Sequence, residues 1–154
     1  MKKQKGFSLI ELLIVVAIIL IIAAIAIPNL LKSRIAANEA SAVGTVRTLN
    51  TAQVTYNASC QQYANGIGEL NAGTVCAAGA NIIDATLATG TKSGYTFVVI
   101  APGTTAAGTI STTFDVNADP ITASVTGVRH FFSNESLVIR VDPAAKAKNT
   151  STPL

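Results

Sequence analysis

Hydrophobic and polar positions divide the chain into three stretches of different character. From Leu12 to Ile27 every residue is apolar, and Phe7 to Leu12 is interrupted only by Ser8 and Glu11. As a helix at ~1.5 Å per residue, Phe7 to Ile27 measures ~31 Å, the thickness of a bilayer's hydrocarbon core. Beyond Pro28 the pattern changes. Ala42, Val46, Leu49 and Tyr56 recur at helical spacing, with Ala52 and Gln53 beside them, and Arg34, Asn38, Ser41, Thr45 and Thr48 lie on the opposite side. This predicts one amphipathic continuation, so that a single helix runs from about Ser8 to near Ser59. Gly44 weakens it slightly.

The third stretch has short segments of strand character. They are 95–100, Thr112 to Asn117 with Phe114 and Val116 on one face, Ile121 to Val125, Val128 to Phe132, and Leu137 to Val141 after a turn at 133–135. Short linkers favour an antiparallel meander of four to five strands packed on Ala42, Val46, Leu49 and Tyr56. A helical turn is expected near Asn81 to Leu87, and the tail after Asp142 reads as polar and loose. The fold class is α+β. Its parts are 1–6, a basic leader; 7–28, the membrane half of the helix; 29–59, the amphipathic half; and 60–154, a globular head.

Charge sharpens this division. The 154 residues carry eleven Lys and Arg against eight Asp and Glu, a formal charge of +3 and a pI near 9.0. Lys2, Lys3 and Lys5 precede the apolar run, and without them the formal charge falls to zero. The basic pI is therefore a property of the leader. From Cys60 onward acids and bases nearly balance, without the clustered cations that phosphate binding needs, so DNA binding is not indicated. The leader lysines predict a cytoplasmic start with the head on the far side.

Three readings of the apolar stretch compete. A secretory signal peptide would be cut near Ala24-Ile25-Ala26, and a signal anchor needs only length and flanking charge. Neither accounts for Glu11, a carboxylate that costs a few kcal/mol inside a membrane unless it is paired or near the interface. Pro28 offers no N–H to the carbonyl of Ala24, which predicts a kink there rather than a stop.

Gly6-Phe7-Ser8-Leu9-Ile10-Glu11-Leu12, behind a short basic leader and before an uninterrupted apolar run, resembles the prepilin signature of type IV pilins and type II secretion pseudopilins. The resemblance implies cleavage between Gly6 and Phe7 by a membrane prepilin peptidase, N-methylation of Phe7, and retention of the apolar helix. It implies that Glu11 compensates the new amine of a neighbouring copy during assembly, and that the helix bends near Pro28. The expected function is a structural subunit, a major pilin polymerised by inner-membrane assembly machinery into an extracellular filament for adhesion, twitching motility or DNA uptake. Its precursor would sit in the lipid bilayer of the inner membrane, with the head periplasmic. A pseudopilin is the nearest alternative, and a signal-anchored periplasmic enzyme or binding module a remote one. Thr126-Gly127-Val128-Arg129 and Val138-Ile139-Arg140 also resemble the C-terminal sheet of these families, which commonly have Gly where Leu137 stands.

The bare length of the apolar helix favours polymerisation independently of the resemblance. A chain of this length cannot bury so long an apolar helix in its own core; the helix needs lipid first and copies of itself later. Cys60 and Cys76 lack metal-binding spacing. In an exported protein they are expected to pair, stabilising the fold by roughly 3 kcal/mol; the alternative is two unpaired small hydrophobes.

No catalytic residue, cofactor site or metal site is predicted. His130 lacks nameable partners and reads as an ordinary strand residue. Asp115, Asp119 and Asp142 form no dense acidic loop for calcium. The tripeptides beginning at Asn57, Asn134 and Asn149 are weak glycosylation signals.

Overall fold

The computed structural model describes residues 7–72, 81–102 and 111–154. Two compact units meet in sequence at Arg34 and Ile35.

Helix α1 spans Leu9–Cys60 and continues through Pro28. Its start carries the carboxylate half of a capping box. Leu12 N donates to Ser8 O at 3.2 Å, and Ser8 N donates to Glu11 Oε2 at 2.8 Å. Its end is a left-handed cap at Gln61, with φ 58° and Gln61 N donating to Asn57 O at 2.9 Å. In the second unit the hydroxyls of Thr45, Thr48, Thr51, Thr55 and Ser59 each donate to the carbonyl four residues earlier. That accommodates a polar, Thr-rich helix face.

The helices α2, Glu69–Ala72, and α3, Ala85–Ala88, are single turns. The latter is the turn expected near Asn81 to Leu87, and Asp84 caps it by accepting from Leu87 N at 2.7 Å. Among the described residues the sheet holds six antiparallel strands in sequence order: β1 Thr91–Lys92, β2 Tyr95–Ile100, β3 Asp115–Pro120, β4 His130–Asn134, β5 Arg140–Asp142 and β6 Thr152–Pro153. Tyr95, Phe97 and Val99 of β2, Val116 and Ala118 of β3 and Phe131 of β4 are buried with Ala42, Val46, Leu49 and Tyr56 of α1 in one core. The α+β architecture and the predicted packing face of the helix are both present.

Several boundaries differ from the expectations, for identifiable reasons. The meander has six strands rather than four to five, because two-residue strands border it on each side. Residues 121–125 are not a strand. Pro120 closes β3, Ser124 adopts φ 63°, and this alternating segment is a turn with Ile121 and Val125 exposed. The strand expected from Val128 starts at His130, since the N–H groups of Val128 and Arg129 bond to Glu39 instead of a neighbouring strand. Leu137 lies in a turn at φ 60°, so β5 starts late. The tail is not loose: Ala147 is buried, β6 pairs with β5, and Leu154 N donates to Ile139 O at 2.9 Å.

The polar side of α1, opposite the apolar stripe, is also partly engaged. Asn38 Nδ2 donates to Thr126 O at 2.8 Å, Ser41 Oγ to Ser93 Oγ at 2.9 Å, and Thr45 is buried. Gln53 acts as a surrogate strand partner for Ala64: its Nε2 donates to Ala64 O and its Oε1 accepts from Ala64 N, both at 2.9 Å.

Candidate functional site

In the first unit the sequence supplies a helix start and a long apolar surface. Phe7 precedes α1 and is 89% exposed. Leu9, Leu12, Leu13, Val16, Ala17 and Leu20 line an open apolar groove of about 400 Å³. The helix is long and apolar enough to cross a membrane, and its most apolar window is not buried by the chain. Bare aliphatic surface on this scale is not stable in water, at ~25 cal/mol per Å² exposed. Glu11 is the acidic residue of the first turn and faces outward, with one oxygen on Ser8 N.

Of the residues singled out in the sequence, Phe7, Glu11 and Pro28 thus lie on this element. Gly6 and Cys76 fall outside the described residues. Cys60 ends α1, packs partly buried against the core, and no described cysteine is free.

The second unit contains a polar junction that sequence reasoning missed. Glu39 is buried on α1. Its Oε1 accepts from Val128 N at 2.9 Å and Arg129 N at 3.1 Å, and its Oε2 accepts from Arg129 Nε at 2.7 Å. Burial alone would raise its pKa. The two main-chain N–H groups and then the Arg129 guanidinium outweigh that, and hold the carboxyl below its ordinary value. Beside it Tyr95 Oη donates to Arg129 O at 2.8 Å. Burial and then the Glu39 charge push the tyrosine far above its usual range, so it remains a donor. Gly127 is the point of closest approach: a Cβ there would lie 2.6 Å from Tyr95 Cζ. A charged residue inside an otherwise apolar helical stripe was the available signal for Glu39. It went unread because the 3.6-residue pattern registers apolar positions only.

His130 does have a partner. Its Nδ1 lies 2.6 Å from Asp119 Oδ1, and Lys146 Nζ lies 3.4 Å from Asp119 Oδ2. Across the ladder His130 pairs in register with Asp142, a carboxyl held low by the N–H groups of Ala144 and Ala145. Among the described residues no set of three or more His, Cys, Asp or Glu side chains is placed to hold a metal.

Comparison with known proteins finds a family model at the start of the chain and likeness to pilins over part of its length. Residues 1–27 match the family model described as the prokaryotic N-terminal methylation motif. The type IV major pilin protein PilA of Myxococcus xanthus is 41% identical over 68 residues, covering 44% of this chain and 31% of that protein. The type IV wide pilus major component PilA4 of Thermus thermophilus is 64% identical over 39 residues, or 25% of this chain and 30% of that protein. A fimbrial protein of Pseudomonas aeruginosa is 56% identical over 52 residues, 34% of each. The chain thus spans about a third of the length of the curated relatives it matches. No solved structure matches it. These findings support the resemblance to type IV pilins drawn from Gly6 to Leu12.

Proposed function

We propose that this chain is a structural pilin subunit that polymerises through α1 into a type IV pilus. The observation that carries the reading is the uncovered apolar run of α1 behind a methylation motif. Such a surface requires lipid, and after extraction from lipid it requires other apolar helices. Bundling identical helices meets that requirement without a second partner. In this reading a prepilin peptidase cuts between Gly6 and Phe7, Phe7 is N-methylated, and the subunit waits in the inner membrane with its head periplasmic. Inner-membrane assembly machinery then moves it into an extracellular fibre serving adhesion, twitching motility or DNA uptake.

Glu11 has two roles in this scheme. In the single chain it accepts from Ser8 N and so caps the helix start; in the fibre its charge compensates the amine at Phe7 of an adjacent copy, which would otherwise be buried unpaired. Pro28 frees the carbonyl of Ala24 and gives the helix a place to bend. We also propose that Cys60 pairs with Cys76, closing the segment that follows α1. Likeness to pilins and fimbrial proteins supports a structural role over catalysis, and no observation favours the pseudopilin alternative.

Electron microscopy of cells with and without the gene tests the proposal. Long surface fibres that vanish on deletion and return on complementation are expected. Unchanged fibres in the deletion strain would remove this chain as their main subunit.

A further inference from the structure

Two cations stand where the apolar part of α1 ends. Lys32 and Arg34 are both exposed, next to the exposed Leu30 and Leu31. The ion pairs among the described residues engage Arg129, His130 and Lys146, so neither of these two cations meets a carboxylate there. Two residues apart on a helix, their side chains leave on roughly opposite sides, at ~100° per residue. The hydroxyl of Ser33 between them is turned back onto Asn29 O at 3.0 Å. The pair therefore makes a collar of positive charge around the helix.

The place of this collar follows the dimensions of a bilayer. From Glu11 to Lys32 the helix rises ~31 Å at ~1.5 Å per residue, which matches a hydrocarbon core of ~30 Å. Residues 12–31 carry no ionisable group, and Asn29, close to the far end, is their one polar side chain. A carboxylate and an ammonium are each costly in hydrocarbon. With Glu11 at one headgroup layer, Lys32 and Arg34 fall in the other, where their long stems reach outward past Leu30 and Leu31. The leader lysines belong to the Glu11 end. Once they are cut away, Glu11 balances the amine of Phe7 at that end, and the net positive charge of the span lies at the collar.

We propose that Lys32 and Arg34 bind the phosphates of anionic phospholipids at the headgroup level opposite the leader, and so fix the depth of the subunit in the membrane before assembly. This rests on the membrane-held stage of the pilin reading. An arginine fork grips a phosphate through two parallel N–H donors, and a lysine adds a point charge. A zwitterionic headgroup offers the same phosphate beside a compensating cation, so a lipid of net negative charge is preferred. Lipid is the occupant because the collar abuts the membrane-spanning run and faces headgroups on every side of the helix. A single protein partner would cover one side and leave the other cation bare.

The test uses the full chain reconstituted in vesicles of phosphatidylcholine and phosphatidylglycerol, with a trace of spin-labelled lipid of either headgroup. Electron spin resonance reads the share of each label held at the protein. The parent should favour phosphatidylglycerol several-fold over phosphatidylcholine, and Lys32→Gln/Arg34→Gln should lose most of that preference. Both chains keep the leader lysines, so their difference reports the collar alone. Both cations are exposed, so the double variant keeps its fold, and Lys32→Arg/Arg34→Lys should restore the preference. Equal preference in the parent and Lys32→Gln/Arg34→Gln overturns the proposal. Inorganic phosphate added at fixed ionic strength should leave the difference unchanged; its loss would mean a site for free phosphate and overturn the lipid assignment. If alkaline carbonate strips the parent from the vesicles, the membrane stage of the pilin reading fails, and the collar with it. A chain that stays inserted while the two variants behave alike sinks the collar only.

Discussion

Glu39 and Arg129 are joined twice, through the main-chain N–H of Arg129 at 3.1 Å and its Nε at 2.7 Å, although 90 residues separate them in the chain. The pair ties the β3–β4 loop to α1 and determines where β4 begins. Arg129 is half exposed, so the ionic component is worth little. The larger contribution is the acceptance of two main-chain donors at a buried site. Glu39→Ala should therefore lower stability by about 2 kcal/mol in thermal melts of the detergent-solubilised subunit. An unchanged melting temperature would show that water replaces the carboxylate at no cost.

Acid should weaken the same junction. The Glu39 carboxyl is held below its ordinary value in the folded chain, so its contribution is present above the usual carboxylate range and is lost as pH falls through the lower folded value. Asp115 behaves oppositely, since burial and then the Glu135 charge raise its pKa, and it destabilises near neutrality. The informative quantity is accordingly the difference between the parent and Glu39→Gln. That difference should shrink as pH falls below the ordinary glutamate value of 4.5; a constant gap down to the acid limit of folding would contradict the assignment.

Packing at Gly127 predicts a severe substitution. A methyl group there would meet the Tyr95 ring at 2.6 and 2.7 Å, and Tyr95 is fully buried with its hydroxyl bonded to Arg129 O. Gly127→Ala should cost about 3 kcal/mol by overpacking. Adding Tyr95→Phe should not rescue it, because the ring carbons still collide; rescue measured in the double variant would mean that the hydroxyl alone is the obstacle.

At the helix start, two substitutions of Glu11 separate its two roles. Gln can complete a capping box as Glu does, but it carries no charge. Glu11→Gln should insert in the membrane normally and yield little fibre, whereas Glu11→Ala should also fray the first turn. Normal fibre yield from Glu11→Gln, measured by shearing and quantitation, would assign Glu11 to capping alone.

Sequence reasoning reached those features that depend on local pattern. The apolar run from Phe7 to Ile27, the packing stripe of Ala42, Val46, Leu49 and Tyr56, and the alternation in β2 all follow from side-chain period. What it missed depends on partners remote in sequence. Nothing near Glu39 announces Arg129, nothing near Gln53 announces a main-chain pair at Ala64, and His130 acquires Asp119 only when β3 and β4 align. The false strand at 121–125 shows the converse: alternation without a facing core is no strand, and Pro120 had already ended the ladder. Glu11 was recognised for its charge, yet the Ser-x-x-Glu spacing that makes it a cap was legible from the start.

In the proposed fibre α1, cut before Phe7 and kept whole, is the part from which the core is built. Intact mass and N-terminal analysis of the subunit in sheared surface fibres test it most directly. The subunit is expected to begin at N-methylated Phe7 and to retain Glu11 and the apolar run. A fibre subunit that begins near Ile27, or fibres that lack this chain, would contradict it.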